Sequence, residues 1–284
     1  MDAGPRAAPF RHRGMTALAT VAAIGVLAYA GALAALYAFQ ERLIFLATPL
    51  PAGYRFVFDA PFDEMHIPVQ GASLDALYFP RPSPRGLVFF LHGNAGNLAT
   101  WTTGIDFFRR ADYGLFMVDY RGYGKSTGRI ESEEQLHADV RAAYDAIAPR
   151  YAGKPIVVYG RSLGTGLAAR LARGVNPALL VLVSPYASLE ATAVRAYPIV
   201  PAALLKYPLR TDALIGDVTC PIFIVHGADD RVIPVGDSET LRTLANAPVE
   251  LEVVPRAGHN DLHTFPAYVD ALAARLARVS EAAR

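Results

Sequence analysis

From residue 87 onward the chain alternates short apolar runs with stretches of helical spacing, and few folds accept that alternation. The runs cover 87–91, 115–118, 156–159, 179–183, 222–225 and 251–254, and only Glu252 breaks their apolar character. Continuous rather than alternating hydrophobicity is what a strand buried on both faces requires. The stretches 132–147, 163–173, 235–245 and 261–279 instead space their apolar residues as amphipathic helices do. Strand and helix in alternation predict a mostly parallel sheet with helices on both faces. Upstream, residues 56–79 carry short apolar runs broken by Pro61, Pro68 and Gly71, which reads as antiparallel strands joined by a turn at one edge of the sheet. At 284 residues, 52% hydrophobic, the chain can bury a full core without metal or disulfide.

The N-terminal segment follows other rules. No charge falls between Gly14 and Gln40, and residues 15–39 are Ala, Leu, Val, Ile, Gly and aromatics, with Thr16 and Thr20 the small polar exceptions. A helix of that length, at about 1.5 Å per residue, spans a hydrocarbon core of about 30 Å. The chain therefore divides into a cytoplasmic tail (1–14), a transmembrane helix (15–39), a connector (40–55) and a main domain (56–284). Arg6, Arg11 and Arg13 precede the helix whereas Glu41 and Arg42 offset each other after it, which predicts a cytoplasmic N-terminus and a main domain across the membrane. A cleavable signal peptide is the competing reading, with Ala28-Tyr29-Ala30 or Ala32-Leu33-Ala34 as cleavage sites. Basic residues elsewhere are dispersed and the net charge is +1, which argues against a nucleic-acid partner. Cys220, the single cysteine, excludes an intramolecular disulfide and any cysteine-based metal cluster.

Chemistry concentrates where strands end. Gly160-Arg161-Ser162-Leu163-Gly164 follows the strand-like 156–159 and opens a helix-like stretch, the context a nucleophile elbow needs. A serine hydroxyl is a poor nucleophile at neutral pH, so it needs a base and an acid that orients the base. Asp229 and Asp230 follow the run 222–225, and His259 follows the run 251–254, so Ser162, one of the two aspartates and His259 make a triad in chain order. His226 reads as a residue that caps or packs near a strand end, and Asp261 and His263 as surface or packing residues. An oxyanion hole needs two backbone N–H groups. Leu163 supplies one, and Asn94, in His92-Gly93-Asn94-Ala95-Gly96-Asn97, supplies the other; His92 reads as a brace for that loop. The loop 119–126 shapes the site. Between two predicted strands, 186–218 with Pro198, Pro201 and Pro208 reads either as a short cap over the site or as an irregular crossover. Its Tyr197, Leu204, Leu205 and Tyr207 would favour an apolar acyl group.

Together the stretches 92–97, 119–124 and 160–164, His226-Gly227 with Asp230, and Gly258-His259 resemble the α/β-hydrolase superfamily, over roughly residues 60–280. Within it they resemble the membrane-anchored serine hydrolases related to bud-emergence-type and depalmitoylase-type proteins, and the domain called serine aminopeptidase-like. The resemblance selects Asp230 over Asp229, because the spacing His-Gly-x-x-Asp is the family's. It implies an α/β-hydrolase fold, an acyl-enzyme route to a carboxylic ester or thioester, a small-molecule or lipid-like acyl substrate, and no metal or organic cofactor. Depalmitoylating relatives attach through lipidated cysteines, and this chain has no N-terminal cysteine cluster, so the physiological substrate does not carry over. Arg and Ala far outnumber Lys, which suggests a GC-rich bacterial genome and a periplasmic catalytic domain. A serine aminopeptidase-type peptidase and a catalytically idle membrane-anchored binding protein are the competing functions.

Overall fold

The computed structural model describes residues 10–282, and an eight-stranded sheet organises them. Its strands are β1 (Asp63–Val69), β2 (Ala72–Phe79), β3 (Gly86–Leu91), β4 (Tyr113–Val118), β5 (Ile156–Arg161), β6 (Leu179–Val183), β7 (Ile222–Gly227) and β8 (Val249–Val254). The spatial order is β8-β7-β6-β5-β3-β4-β2-β1. Only β2 runs against its neighbours; every other pairing is parallel. The longer helices are α1 (Phe10–Ile44), α2 (Glu133–Ile147), α3 (Leu163–Val175), α4 (Leu189–Ala196), α5 (Gly236–Leu244) and α6 (Pro266–Ala282).

The apolar runs become central strands because both faces of each are covered. Leu87, Phe89 and Leu91 of β3 pack on one side with Leu136 and Val140 of α2, Leu167 and Leu171 of α3, and Leu241 of α5. Val88 and Phe90 point to the opposite side, where Leu98, Phe108 and, from α6, Tyr268, Leu272 and Leu276 complete a second core. Each such leucine or phenylalanine, fully removed from water, contributes about 1.5–3 kcal/mol. Hydroxyls set the starts of two helices: Ser132 Oγ accepts from Gln135 N at 3.1 Å, and Ser188 Oγ from Ala191 N at 2.9 Å.

Three departures from the periodicity have local causes. The edge strand begins at Asp63, not near residue 56, since Pro61 interrupts it. The residues before it form an aromatic cover instead, with Phe58 edge-on to Phe79 at 5.1 Å. The helical stretch expected over 261–279 starts only at Pro266, whose missing N–H suits a first helical turn, after a 3-10 turn at Leu262–Thr264. Residues 186–218 contain α4, then only short turns; their C-terminal half is core, with Tyr207 and Leu209 buried.

The chain forms two compact units that divide between Gln40 and Glu41. In the first, α1 exposes Met15, Leu18, Val21, Ile24 and Leu27. Met15–Ile44 is long and apolar enough to cross a membrane, which makes it a candidate transmembrane span. Of the tail expected over 1–14, residues 1–9, Arg6 among them, lie outside the described residues, and from Phe10 the chain is already helical. The last turn of α1, from Glu41, belongs to the second unit.

One buried carboxyl stands out at the sheet edge. Asp75 of β2 is 1% exposed, pairs across the hairpin with His66, and lies 3.2 Å from its Nδ1. Burial, then the neighbouring Glu64 carboxylate, push the Asp75 carboxyl up to about 8. A carboxyl raised in the folded state favours folding while protonated, below its unfolded value of about 4, and that advantage is lost as pH rises through about 8. Thermal unfolding followed from pH 5 to beyond pH 8 should show a declining midpoint in the wild type and a smaller decline in Asp75→Asn.

Candidate active site

Strand order creates the crevice. From β3 the chain passes to β4 on one side and then to β5 on the other, so the loops after β3 and β5 diverge at the C-terminal edge of the sheet. Parallel β7 and β8 end at the same edge. The loops after these four strands carry Asn94, Ser162, Asp230 and His259.

Ser162 sits between β5 and α3 at φ 50° and ψ −119°, a left-handed conformation that strains any residue with a Cβ. Its two flanking glycines make the turn possible. A Cβ on Gly160 would strike the Gly164 carbonyl, and a Cβ on Gly164 would strike the Leu91 carbonyl oxygen of β3. Ser162 N donates to Val183 O at 2.9 Å, which fixes the turn to β6. Although it occupies the N-cap position of α3, its hydroxyl does not cap the helix. It lies 2.9 Å from His259 Nε2 instead.

His259 Nδ1 lies 2.7 Å from Asp230 Oδ2. The carboxylate can only accept, so Nδ1 carries the proton, and Nε2 is left to accept from the serine hydroxyl. Asp230 Oδ1 accepts the N–H groups of Val232 and Ile233, both at 2.9 Å. Asp229 is exposed and turned away, with its N–H bonded to Ala257 O. Burial alone would raise the Asp230 carboxyl, but hydrogen bonds from His226, His259 and Ile233 N–H outweigh it and hold the group well below the usual carboxylate range.

Of the two roles expected of His226, the structure shows capping as well as burial. The residue is fully buried at the end of β7, with Nε2 at 2.9 Å from Ile233 O and 3.3 Å from Asp230 Oδ2, and Nδ1 at 2.6 Å from Ser238 Oγ. Ile233 O can only accept, so Nε2 holds a proton, and the imidazole clamps the loop that presents Asp230. Arg161 does the same for the histidine: its guanidinium donates to Asn260 O at 3.2 Å and lies over the Trp101 ring. Asp261 closes the turn before it by accepting Gly258 N at 2.7 Å.

The loop after β3 lies against the serine, since a Cβ on Gly93 would be 3.5 Å from Ser162 Cβ. Asn94 turns its side chain away to donate to Ile44 O, which leaves its backbone N–H as the group it can offer. Among the described residues, neither Asn94 N–H nor Leu163 N–H donates to a protein acceptor. His92 is buried behind the loop, with Nδ1 at 2.7 Å from Gly93 O and Nε2 at 3.3 Å from Asp119. Tyr120 Oη donates to His92 O and Tyr123 Oη to Asn94 O, so 119–126 acts on the site from behind.

Other chemistry lies elsewhere. Ligand atoms of Glu64, His66 and Asp75 fall within 4.8 Å of one another on the β1–β2 hairpin, but Lys125 is ion-paired with Glu64 there, supplying the positive charge. Tyr207, expected to favour an acyl group, is instead buried edge-on to Phe45 at 5.0 Å, with its hydroxyl on Glu41. The signal for His226 is its place: a histidine closing an otherwise apolar buried strand demands a polar partner.

Since the Asp230 carboxyl is depressed by folding, its ionised form stabilises the fold above the unfolded value of about 4, and that contribution is lost as pH falls below it. Denaturant titrations should therefore show the wild type more stable than Asp230→Asn at neutral pH, with the gap narrowing steadily below about pH 4.

A family model described as serine aminopeptidase, S33, matches residues 82–211. Alpha/beta hydrolase domain-containing protein 17B is 33% identical over 196 residues in Xenopus laevis, spanning 67% of this chain and 66% of that protein. Its Homo sapiens counterpart is 32% identical over 69% of each chain. An uncharacterised Mycobacterium tuberculosis protein is 34% identical over 250 residues, covering 85% of this chain and 88% of its own length. Among solved structures, the Pyrococcus furiosus esterase Pf2001 superposes with a TM-score of 0.66 at 20% identity, over 82% of this chain and 98% of that one, a likeness of fold. The chain belongs to the α/β-hydrolase superfamily, in the subgroup that includes alpha/beta hydrolase domain-containing protein 17B.

Proposed function

We propose that this protein is a membrane-anchored serine hydrolase that cleaves carboxylic esters or thioesters through an acyl-enzyme. The observation that carries the reading is the continuous hydrogen-bonded chain Ser162–His259–Asp230, with the histidine proton on the nitrogen that faces the aspartate. In this mechanism His259 Nε2 takes the Ser162 proton as Oγ attacks the acyl carbonyl. Asp230 holds the tautomer and stabilises the imidazolium. The N–H groups of Leu163 and Asn94 receive the negative oxygen, and one such donor is typically worth about 100- to 1000-fold in rate. Imidazolium then protonates the departing alcohol or thiol. Water, deprotonated by the same histidine, attacks the acyl-enzyme and releases the acid and Ser162.

An apolar acyl group suits the surroundings. A cavity of about 230 Å³ lined by Phe90, Trp101, Phe107, Phe108, Tyr159 and Tyr268, with Asp106, Arg110 and Arg161 as its charged members, lies on the α6 side of the sheet, and Ser162 and His259 are not among its lining residues. Exposed Tyr197 and Ile199, in the segment read as a cap, add apolar surface. A peptidase needs an acidic group for the substrate amino terminus, and the acids of that segment are all ion-paired, Glu190 and Asp212 with Arg210 and Asp217 with Arg173. Met15–Ile44 is read as a retained anchor, and the arginines before it favour a catalytic unit on the extracytoplasmic face of a bacterial inner membrane.

Hydrolysis of p-nitrophenyl esters of increasing chain length by the detergent-solubilised full chain tests the reading. The wild type should turn over, with kcat lower by at least about 10⁴-fold in Ser162→Ala and His259→Ala. Undiminished hydrolysis by Ser162→Ala would rule the mechanism out.

A further inference from the structure

The residues after the apolar helix run alongside the loop that carries the second proposed oxyanion donor. Leu46 and Ala47 pair in parallel with Ala95 and Gly96. Leu46 N donates to Asn94 O at 2.8 Å, and Thr48 N to Gly96 O at 3.0 Å. In return Asn94 Nδ2 donates to Ile44 O at 3.2 Å, and Asn97 Nδ2 to Thr48 O at 2.8 Å. Farther along, Leu50 N donates to Gly124 O at 2.7 Å, which joins the segment to the loop that holds Asn94 from behind.

The upstream end is anchored too. Phe45 is buried against Tyr207, and the Glu41 carboxylate accepts from Lys206 Nζ at 3.0 Å and Tyr207 Oη at 3.2 Å. By contrast the loop being held is short of side chains. Gly93, Ala95 and Gly96 contribute almost nothing to pack, and Gly96 at φ 83° has the wide conformational freedom of glycine. A donor on such a loop stabilises an oxyanion only if it is aimed beforehand, since reorganisation during the reaction would forfeit the gain.

We propose that residues 41–50 are a positioning segment of the active site: their backbone hydrogen bonds hold the 93–97 loop so that the Asn94 N–H is aimed at the oxygen of the reacting carbonyl. The proposal rests on the reading of Ser162 as nucleophile. It makes the stretch next to the membrane anchor part of the machinery rather than a spacer, and it assigns Leu46 and Thr48 a role through their N–H groups, not their side chains.

The test uses the full chain in detergent and compares wild type with Leu46→Pro, which removes the N–H that reaches Asn94 O. Asn94→Ala is the second variant; it cuts the tie to Ile44 O while keeping every backbone N–H. Val57→Pro is the control, a proline at an 86% exposed position outside the pairing. Three quantities are read: kcat and KM on a p-nitrophenyl ester, inhibition by an alkylboronic acid whose tetrahedral serine adduct places an oxygen in the hole, and the thermal midpoint. Leu46→Pro should lose about tenfold or more in kcat, with boronate affinity falling in step, KM within about twofold and the midpoint retained. Asn94→Ala should show the same pattern at smaller size, and Val57→Pro should match the wild type. Unchanged kcat and boronate affinity in a folded Leu46→Pro, or in Asn94→Ala where the proline variant does not fold, would overturn the proposal. A wild type that neither hydrolyses the ester nor binds the boronate would instead remove the hydrolase reading on which it stands.

Discussion

The turn at Ser162 is the constraint on which the site depends. At φ 50° and ψ −119° the serine is held where an L-residue is strained, and only close packing of β3, β5 and α3 keeps it there. That packing admits glycine alone at 160 and 164, where any Cβ would meet main-chain carbonyls. In exchange the hydroxyl stands clear of both strand and helix, and the first N–H of α3 lies beside it with the positive end of the helix dipole behind it. The apolar strands that form the two cores thus also set the distance between Ser162 and the 93–97 loop.

The orienting groups are layered outward from that turn. Asp230 fixes the His259 tautomer, His226 fixes the Asp230 loop, and Ser238 fixes His226. Arg161 and Asp261 hold the turn around His259 from the other side. None of these outer residues need touch a substrate. Their role is to keep a partly exposed imidazole in one rotamer, which a site working through preorganised electrostatics requires.

Much of this was legible in the sequence because parallel strands buried on both faces write themselves as continuous apolar runs. Reading the end of each run located Ser162, His259 and the aspartate pair, of which the structure brings Ser162 and Asp230 each within hydrogen-bonding distance of His259. Spacing in the residues alone did not separate Asp230 from Asp229; burial does, since 230 faces inward and 229 faces solvent. Where the reading fell short, the signal was tertiary. The aromatic residues 56–62 have strand-like composition but cover Phe79 from outside the sheet, and Tyr207 looks like acyl-pocket lining until Phe45 and Glu41, distant in sequence, are seen to occupy it. The two-residue pairing of 46–47 with 95–96 is too short to leave any periodicity at all.

The central claim is that Ser162 is an activated nucleophile. It is tested most directly by treating the full chain with a fluorophosphonate and mapping the adduct by peptide mass spectrometry, alongside His259→Ala. A single adduct on Ser162 in the wild type, and little or none in the histidine variant, is the expected result. A folded wild type that takes no adduct, or takes it on another residue, would contradict it.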